Sequence, residues 1–157
     1  MKMLSIGNSF SCDALAYFRD IAKEAGIDVE VWHMEIGGCS LERHYNNMKA
    51  DMPAYNFSVN GEHRPNASLA QVIEKEEFDI VTVQQVSHSS GLYSTFHPYI
   101  DEFVAYIRSI NRKQSFGFTK PGLMKRIADT AVLIITVKIN SLCIMQYAAF
   151  TKKLQRK

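Results

Sequence analysis

The chain has 157 residues and a formal net charge of +2, with 46% hydrophobic and 22% charged residues. This length fits one domain that can bury a core, and the composition excludes a disordered chain. The three cysteines, Cys12, Cys39 and Cys143, have neither the number nor the spacing of a disulfide framework or a zinc site. We therefore expect no bound metal and no cofactor.

Targeting and membrane segments are not evident in the sequence. The first ten residues contain no apolar stretch long enough for a signal peptide. The most apolar run, 131–137, is followed at once by Lys138 and is too short to cross a bilayer. We expect a cytoplasmic protein that does not contact a membrane.

The first half of the chain alternates predicted strands and helices. An apolar run over 2–7 stops at Gly-Asn-Ser and predicts the first strand. Apolar residues at helical spacing over 13–25 predict a helix that Gly26 ends. A second strand over 29–32 ends near Gly37. The elements predicted next are a short helix over 40–48, a polar loop or irregular hairpin over 51–65, and a helix over 69–75 that Ser68 caps.

The next segments complete an alternating pattern. The run over 78–84 is apolar and rich in β-branched residues, as in a strand buried on both faces. A loop of Ser, His and Gly follows it, and then a helix from His97 or Pro98 to Ser109. The β-α-β-α-β-α order predicts an α/β fold whose parallel sheet has right-handed crossovers.

Three predicted strands end in polar or glycine-rich segments. Active sites of open parallel α/β sheets form beyond such carboxyl ends. After the first strand, the hydroxyl of Ser9 would point into the crevice, where N–H groups at the helix start could stabilise an oxyanion. The alternative is that Ser9, Ser11 or Asp13 only caps the helix.

The other two strand ends offer hydrogen-bond donors. The glycines of the second, Gly37 and Gly38, permit close approach and an exposed N–H, or form an ordinary turn. The amides of Gln84 and Gln85 at the third could donate to a developing negative charge. His88 either binds substrate or lies in a solvated loop.

Together these segments resemble a known family. Gly-Asn-Ser-Phe at 7–10 resembles the first block of SGNH/GDSL hydrolases, with Asn8 where Asp is usual. Gly-Gly-Cys-Ser-Leu at 37–41 is similar to the second block, and the segment 79–91 is similar in position to the third, without its usual Gly-x-Asn-Asp. The three motifs in order also resemble a branch of that superfamily classed as a domain of unknown function. The resemblance covers about residues 2–118.

The resemblance implies a three-layer, flavodoxin-like α/β/α fold and a serine esterase or acetylhydrolase for a small or carbohydrate-linked ester. Ser9 would attack the ester carbonyl. The N–H groups of Ser9 and Gly38, with the side chain of Gln85 or Gln84, would hold the oxyanion; His88 and Asn8 would complete the binding site. The family takes its general base from a late Asp-x-x-His, but the last histidine here is His97.

Because the late Asp-x-x-His block is missing, we predict that residues 1–118 are an incomplete hydrolase-like domain. We predict that residues 119–157 are an out-of-frame tail. Residues 1–113 carry 10 Lys and Arg against 15 Asp and Glu, whereas 114–157 carry 8 against 1. With suitable codons and one C restored after Phe118, the tail regroups into a stop-free reading that contains an Asp-x-x-His. We expect the printed chain to have little activity, since triad residues act as a unit.

Two further interpretations remain open. The same sheet could carry a non-catalytic module that binds a polar small molecule in the three loops. Alternatively, a genuine basic tail could bind nucleic acid or anionic lipid, in a salt-sensitive way. The tail has few aromatic residues and no clear basic face, so we expect a small-molecule ester as partner and no nucleic acid. The sequence does not indicate an oligomeric state.

Overall fold

A computed structural model of the chain describes residues 1–110 and 115–119, and a six-stranded sheet organises them. In chain order the elements are β1 Lys2–Gly7, α1 Ser9–Leu15, α2 Phe18–Glu24, β2 Glu30–Glu35, α3 Leu41–Lys49, β3 Tyr55–Val59, β4 Glu62–Ala67, α4 Leu69–Ile73, β5 Ile80–Gln84, α5 Tyr99–Ile110 and β6 Ser115–Thr119. Of the predicted out-of-frame tail, 119–157, Thr119 ends β6 and residues 120–157 lie outside the described residues.

The strand order is β4-β3-β2-β1-β5-β6. Strand β1 pairs in parallel with β2 and β5, and β5 pairs in parallel with β6. The segment 51–65 contributes most of an antiparallel hairpin, β3 and β4, whose register shifts between Tyr55 and Phe57. The predicted α/β fold is confirmed. The sheet is mixed instead of wholly parallel, because this hairpin extends it beyond β2.

Alternate side chains of the central strands face two separate layers of helices. Leu4 and Ile6 of β1 belong to a large core cluster with side chains of α3, α4 and α5. Met3 of β1 packs on the other face with Val31 and with Ala22 of α2. This alternation follows from the two-residue period of a strand, and it gives the three layers that the resemblance implies.

Most of the helices and strands were predicted from local sequence patterns, and the differences lie mainly at their ends. The helix predicted over 13–25 is two helices, α1 and α2, and α1 begins at Ser9, four residues earlier. Asn8 caps α1, because its side chain accepts the N–H of Phe10. Ser68 caps α4 as predicted, within a full capping box that Gln71 completes. Strand β6 was not predicted from the sequence.

A shallow polar depression of about 340 Å³ lies at the amino ends of β1 and β2. It is lined by Lys2, Asp28, Glu30 and Asp79, among others. It is therefore at the opposite edge of the sheet from the three predicted strand-end loops. None of the described helices is long and apolar enough to cross a membrane.

The large core cluster contains an ionisable pair, His44 on α3 and Tyr55 on β3. Both side chains are fully buried; their rings stack 5.6 Å apart, and Nδ1 of His44 lies 3.0 Å from the Tyr55 hydroxyl. Within the described part of the chain, Nε2 of His44 has no hydrogen-bond partner. Burial, with a smaller effect from Arg43, lowers the pKa of His44 to about 3, so the core holds a neutral imidazole.

Because His44 is buried as a neutral imidazole, we expect the folded chain to lose stability in acid. The pKa of His44 is lower in the folded chain than its ordinary value of 6.5, so the unfolded chain binds more protons between those values. Stability is therefore lost as the pH falls below about 6.5. We expect His44→Asn to remove about 2 kcal/mol of the difference in unfolding free energy between pH 7 and pH 5, measured by urea denaturation.

The matched control is His63→Asn, because His63 is exposed on β4. It should keep the pH dependence of the unaltered protein. If His44→Asn and His63→Asn gave the same dependence as the unaltered chain, the neutral buried imidazole would be refuted.

Candidate functional site

The predicted site lies where three parallel strands end. Gly7 at the end of β1 pairs with Glu35 at the end of β2, and Ile6 pairs with Val83 near the end of β5. The loops that follow these strands therefore leave the sheet at one edge. Helix α1, after β1, packs on one face, whereas α3 and α5 pack on the other. Such a divergence opens a crevice at the edge of an α/β sheet.

Asn8 ties the three loops together. Its backbone N–H donates to Oε1 of Gln84 at 3.1 Å, and its Nδ2 donates to the carbonyl of Cys39 at 3.2 Å. Its Oδ1 accepts the N–H of Phe10 at 3.2 Å. The Asn8 side chain is buried, so each of these hydrogen bonds replaces one that the unfolded chain makes with water. Asn8 therefore fixes the position of Ser9, the next residue.

The close approach of these loops requires glycine at position 7. A Cβ there would lie 2.6 Å from Oγ of Ser11 and 2.8 Å from Oε1 of Gln84. Both distances are shorter than real Cβ contacts. The Gln84 oxygen can accept the Asn8 N–H only because Gly7 has no side chain.

A hydrogen-bonded pair of a buried serine, Ser11, and a half-buried histidine, His33, lies beneath the loop after β1. Oγ of Ser11 is 2.6 Å from the carbonyl of Asn8 and 2.7 Å from Nε2 of His33. The carbonyl can only accept, so the single hydroxyl hydrogen goes to Asn8, and Nε2 of His33 must donate to Ser11. Burial lowers the pKa of His33, and Glu35 opposes this in part. The pair supports Asn8 and cannot activate Ser11, whose side chain is buried.

Ser9 is exposed at the first position of α1. In the described residues neither its hydroxyl nor its N–H makes a hydrogen bond, and the same holds for the N–H of Gly38. Gly38 has a φ of +61°, a conformation that a side chain would disfavour. Ser9 is not the helix cap, so its hydroxyl is available. The structure thus brings Ser9 and the Gly38 loop to one edge, through Asn8 and Cys39.

The two glutamines are buried beneath this edge. Oε1 of Gln85 accepts the N–H groups of Leu41 and Val86, both at 2.9 Å. Its Nε2 donates to the carbonyl and hydroxyl oxygens of Thr95, at 3.0 and 3.2 Å. A role for Gln85 as an oxyanion donor stays a prediction and requires the bonds to Thr95 to open. For Gln84 the amide oxygen is occupied by Asn8, and Nε2 bonds no described residue.

None of the described histidines bonds Ser9. His88 is exposed on a short 3₁₀ turn, Ser87–Ser89. His97 bonds Asp101 through Nδ1, and His33 and His44 are engaged with Ser11 and Tyr55. The part of the chain that the structure describes therefore contains no histidine bonded to Ser9 that could act as its general base.

The thiol of Cys39 is not a substitute nucleophile. The side chain is fully buried, and burial raises the pKa of the thiol to about 11. Cys39 serves the site through its carbonyl, which accepts from Asn8. In residues 1–110 and 115–119 no group of three or more His, Cys, Asp or Glu side chains is arranged to hold a metal ion.

Sequence reasoning missed Thr95 and the supporting role of Ser11. The signal for Ser11 is its spacing: it lies three residues after Asn8, where a side-chain hydroxyl can reach back to a carbonyl. Thr95 gives no such signal, because the contact with Gln85 depends on how a loop folds back over the sheet edge.

Comparisons with known proteins agree with the extent of this fold. The family model described as a domain of unknown function, DUF4886, matches residues 2–119. A crystal structure of a DUF4886 family protein from Bacteroides uniformis is similar to the chain with a TM-score of 0.70 and 34% sequence identity. The similarity covers 75% of this chain and 48% of that one, so the matched part spans about half the length of the solved protein. None of the curated proteins matches.

The crowding at residue 7 gives a direct test. We expect Gly7→Ala to lower the unfolding free energy by about 2 kcal/mol, the usual cost of overpacking, because Ser11 and Gln84 must both move. Gly37→Ala is the control, since a Cβ there meets nothing within 4 Å. Urea denaturation of both variants measures the difference. Equal stabilities would show that the loop after β1 is not tightly packed.

The donor role of Asn8 gives a second test. In Asn8→Asp a carboxylate oxygen would face the Cys39 carbonyl in a buried setting, so we expect a loss of about 2 kcal/mol at pH 7. The loss should shrink as the pH is lowered, since a protonated carboxyl can donate again. Asn46→Asp, at an exposed position of α3, should show no such behaviour. A stable Asn8→Asp variant at pH 7 would contradict the assigned hydrogen bond.

Proposed function

The chain belongs to the DUF4886 family, and we propose that it is a serine-hydrolase-like domain of the SGNH/GDSL type that acts on an ester through Ser9. The observation that carries the proposal is the exposed Ser9 at the carboxyl end of β1, whose neighbour Asn8 is bonded to Cys39, next to Gly38. The N–H groups of Ser9 and Gly38 bond no described residue. Backbone N–H groups held in place by the fold are effective oxyanion donors, because they need no reorganisation during the reaction.

In the proposed reaction, the hydroxyl oxygen of Ser9 attacks the carbonyl carbon of an ester and gives its proton to a base. The carbonyl oxygen becomes an oxyanion, which the N–H groups of Ser9 and Gly38 stabilise. The alcohol then leaves with a proton, and water hydrolyses the acyl-enzyme. Asn8 is a positioning residue in this scheme, since it holds the Ser9 and Cys39 segments together.

We further propose that the base is the Asp-x-x-His block encoded in another reading frame after Phe118. Two observations support this. The family match ends at residue 119, and residues 114–157 carry 8 Lys and Arg against 1 Asp or Glu, unlike the preceding part. Sequencing the gene across codon 118 tests it: a missing base supports an out-of-frame tail, and an intact frame refutes it.

The alternative function is a non-catalytic module that binds a polar small molecule at the same loops. One observation favours it: the Ser9 hydroxyl makes no hydrogen bond with a described histidine. Under this alternative, binding survives Ser9→Ala, and a fluorophosphonate never labels the chain.

Labelling with a fluorophosphonate probe separates the two functions. We expect little labelling and negligible p-nitrophenyl acetate turnover by the printed chain. Restoring the frame at codon 118 should raise both by at least about a hundredfold, as one triad residue contributes that much or more. Ser9→Ala in the restored protein should abolish both.

The control for labelling is Ser87→Ala, because Ser87 is another exposed serine at this edge of the sheet. It should leave labelling of the restored protein unchanged. Equal activity of the restored protein and its Ser9→Ala variant would refute Ser9 as the nucleophile.

A further inference from the structure

The turn between β3 and β4 is formed by Asn60 and Gly61, the one Asn-Gly pair of the sequence. Both residues have positive φ angles, +54° for Asn60 and +86° for Gly61. Asparagine and glycine tolerate this conformation better than other residues, and the pair is typical of two-residue hairpin turns. Asn-Gly is also a chemically reactive sequence, because glycine has no side chain that hinders attack by its backbone nitrogen on the preceding amide.

Two hydrogen bonds to a single residue of β2 hold Asn60 in the turn. Its N–H donates to the carbonyl of Val31 at 2.7 Å, and its Oδ1 accepts the N–H of Val31 at 2.9 Å. The pairing of β2 with β3 is thereby continued by one residue beyond Trp32 and Val59. The side-chain oxygen of Asn60 takes the place that a backbone carbonyl has in an antiparallel pair.

This arrangement keeps the reactive atoms of the turn apart. In the reaction, the Asn60 side chain must fold over its own carboxyl side, so that Cγ meets the backbone nitrogen of Gly61. In the folded chain the side-chain amide is instead bonded to Val31. In addition, the left-handed backbone conformation of Asn60 places the next nitrogen roughly opposite Cβ. Both constraints must be released before the ring can close.

We propose that Asn60 is a site of spontaneous deamidation, which the folded turn suppresses and the unfolded chain permits. The backbone nitrogen of Gly61 gives up its proton to water and attacks Cγ of Asn60. A new C–N bond closes a five-membered succinimide ring, the bond from Cγ to Nδ2 breaks, and ammonia leaves with a proton returned by water. Water then opens the ring at one of its two carbonyl carbons, which yields aspartate or isoaspartate at position 60.

The two products differ in their effect on the hairpin. Aspartate keeps an oxygen that can accept the N–H of Val31, whereas isoaspartate adds a methylene to the main chain of the turn. Val59 and Glu62 pair directly across this turn, and the length of such a turn fixes the register of its strands. The longer main chain therefore disfavours the native pairing, so time spent unfolded makes unfolding progressively irreversible.

The test is peptide mapping by mass spectrometry of the full-length chain, incubated at mildly alkaline pH with and without a denaturing concentration of urea. We expect Asn60 to deamidate at least about tenfold faster in urea, because the folded chain reacts only while the turn is open. Asn46 is the internal control. It is exposed on α3 and precedes Asn47 instead of a glycine, so it should stay unmodified in both samples.

Refolding after dilution from urea measures the consequence. The recovered fraction of folded chain should fall with incubation time, in parallel with the content of isoaspartate at position 60. Asn60→Asp, which forms the ring far more slowly, should still refold after the same incubation. Asn60→Gly adopts positive φ readily and cannot deamidate, so it should behave alike.

Equal deamidation rates with and without urea would overturn the inference. A loss of refolding as fast in Asn60→Asp and Asn60→Gly as in the unaltered chain would also overturn it. None of these measurements depends on the chemistry of Ser9, so they are independent of the proposed hydrolase function.

Discussion

The hydrogen bonds of Asn8 are the constraint on which the site depends. A buried amide that lost its partners would cost about 1–3 kcal/mol, so the three segments it joins are held in one arrangement. Its backbone N–H fixes β1 to β5 through Gln84, and its Nδ2 fixes β1 to the loop after β2 through Cys39. Ser9 follows Asn8 directly, and its exposed hydroxyl owes its position to these bonds. Asn at position 8 suits this arrangement better than Asp would, because the Cys39 carbonyl accepts from its Nδ2 and an ionised carboxylate has no hydrogen to donate.

The residues around Asn8 stabilise the same arrangement of the three segments. Gly7 leaves room for the Gln84 oxygen, and Ser11, oriented by His33, satisfies the carbonyl of Asn8. Gln85 also joins separate segments at this edge. Its side-chain amide bonds the start of α3 and Thr95 in the loop before α5. Buried polar groups of this kind rigidify a site when all their partners are present. These buried hydrogen bonds fix the positions of Ser9 and the Gly38 loop relative to the sheet.

Much of the fold could be predicted from the sequence, because the signals are local. Apolar runs gave β1 and β5, and Ser68 with Gln71 marked the start of α4. The break between α1 and α2 and the strand β6 were missed. Strand β6 is defined by its pairing with β5, a contact between distant parts of the chain that local sequence signals do not show. At the site, the strand-end motifs predicted that the loops carrying Ser9 and Gly38 leave the sheet at the same edge, and β1 and β2 do end side by side. The roles of the two residues stay predictions. The internal bonding of Gln85 was not predictable, because an amide at a strand end looks the same whether it faces a ligand or a loop.

The measurement that tests the central claim most directly is nuclear magnetic resonance detection of scalar couplings across the hydrogen bonds of Asn8. We expect a coupling from the Asn8 amide nitrogen to the side-chain carbonyl carbon of Gln84, and another from its Nδ2 to the Cys39 carbonyl carbon. Both proton groups should exchange slowly with water. If neither coupling is present and the Asn8 side-chain amide exchanges rapidly, the loop after β1 is not fixed, and the proposed position of Ser9 loses its physical basis.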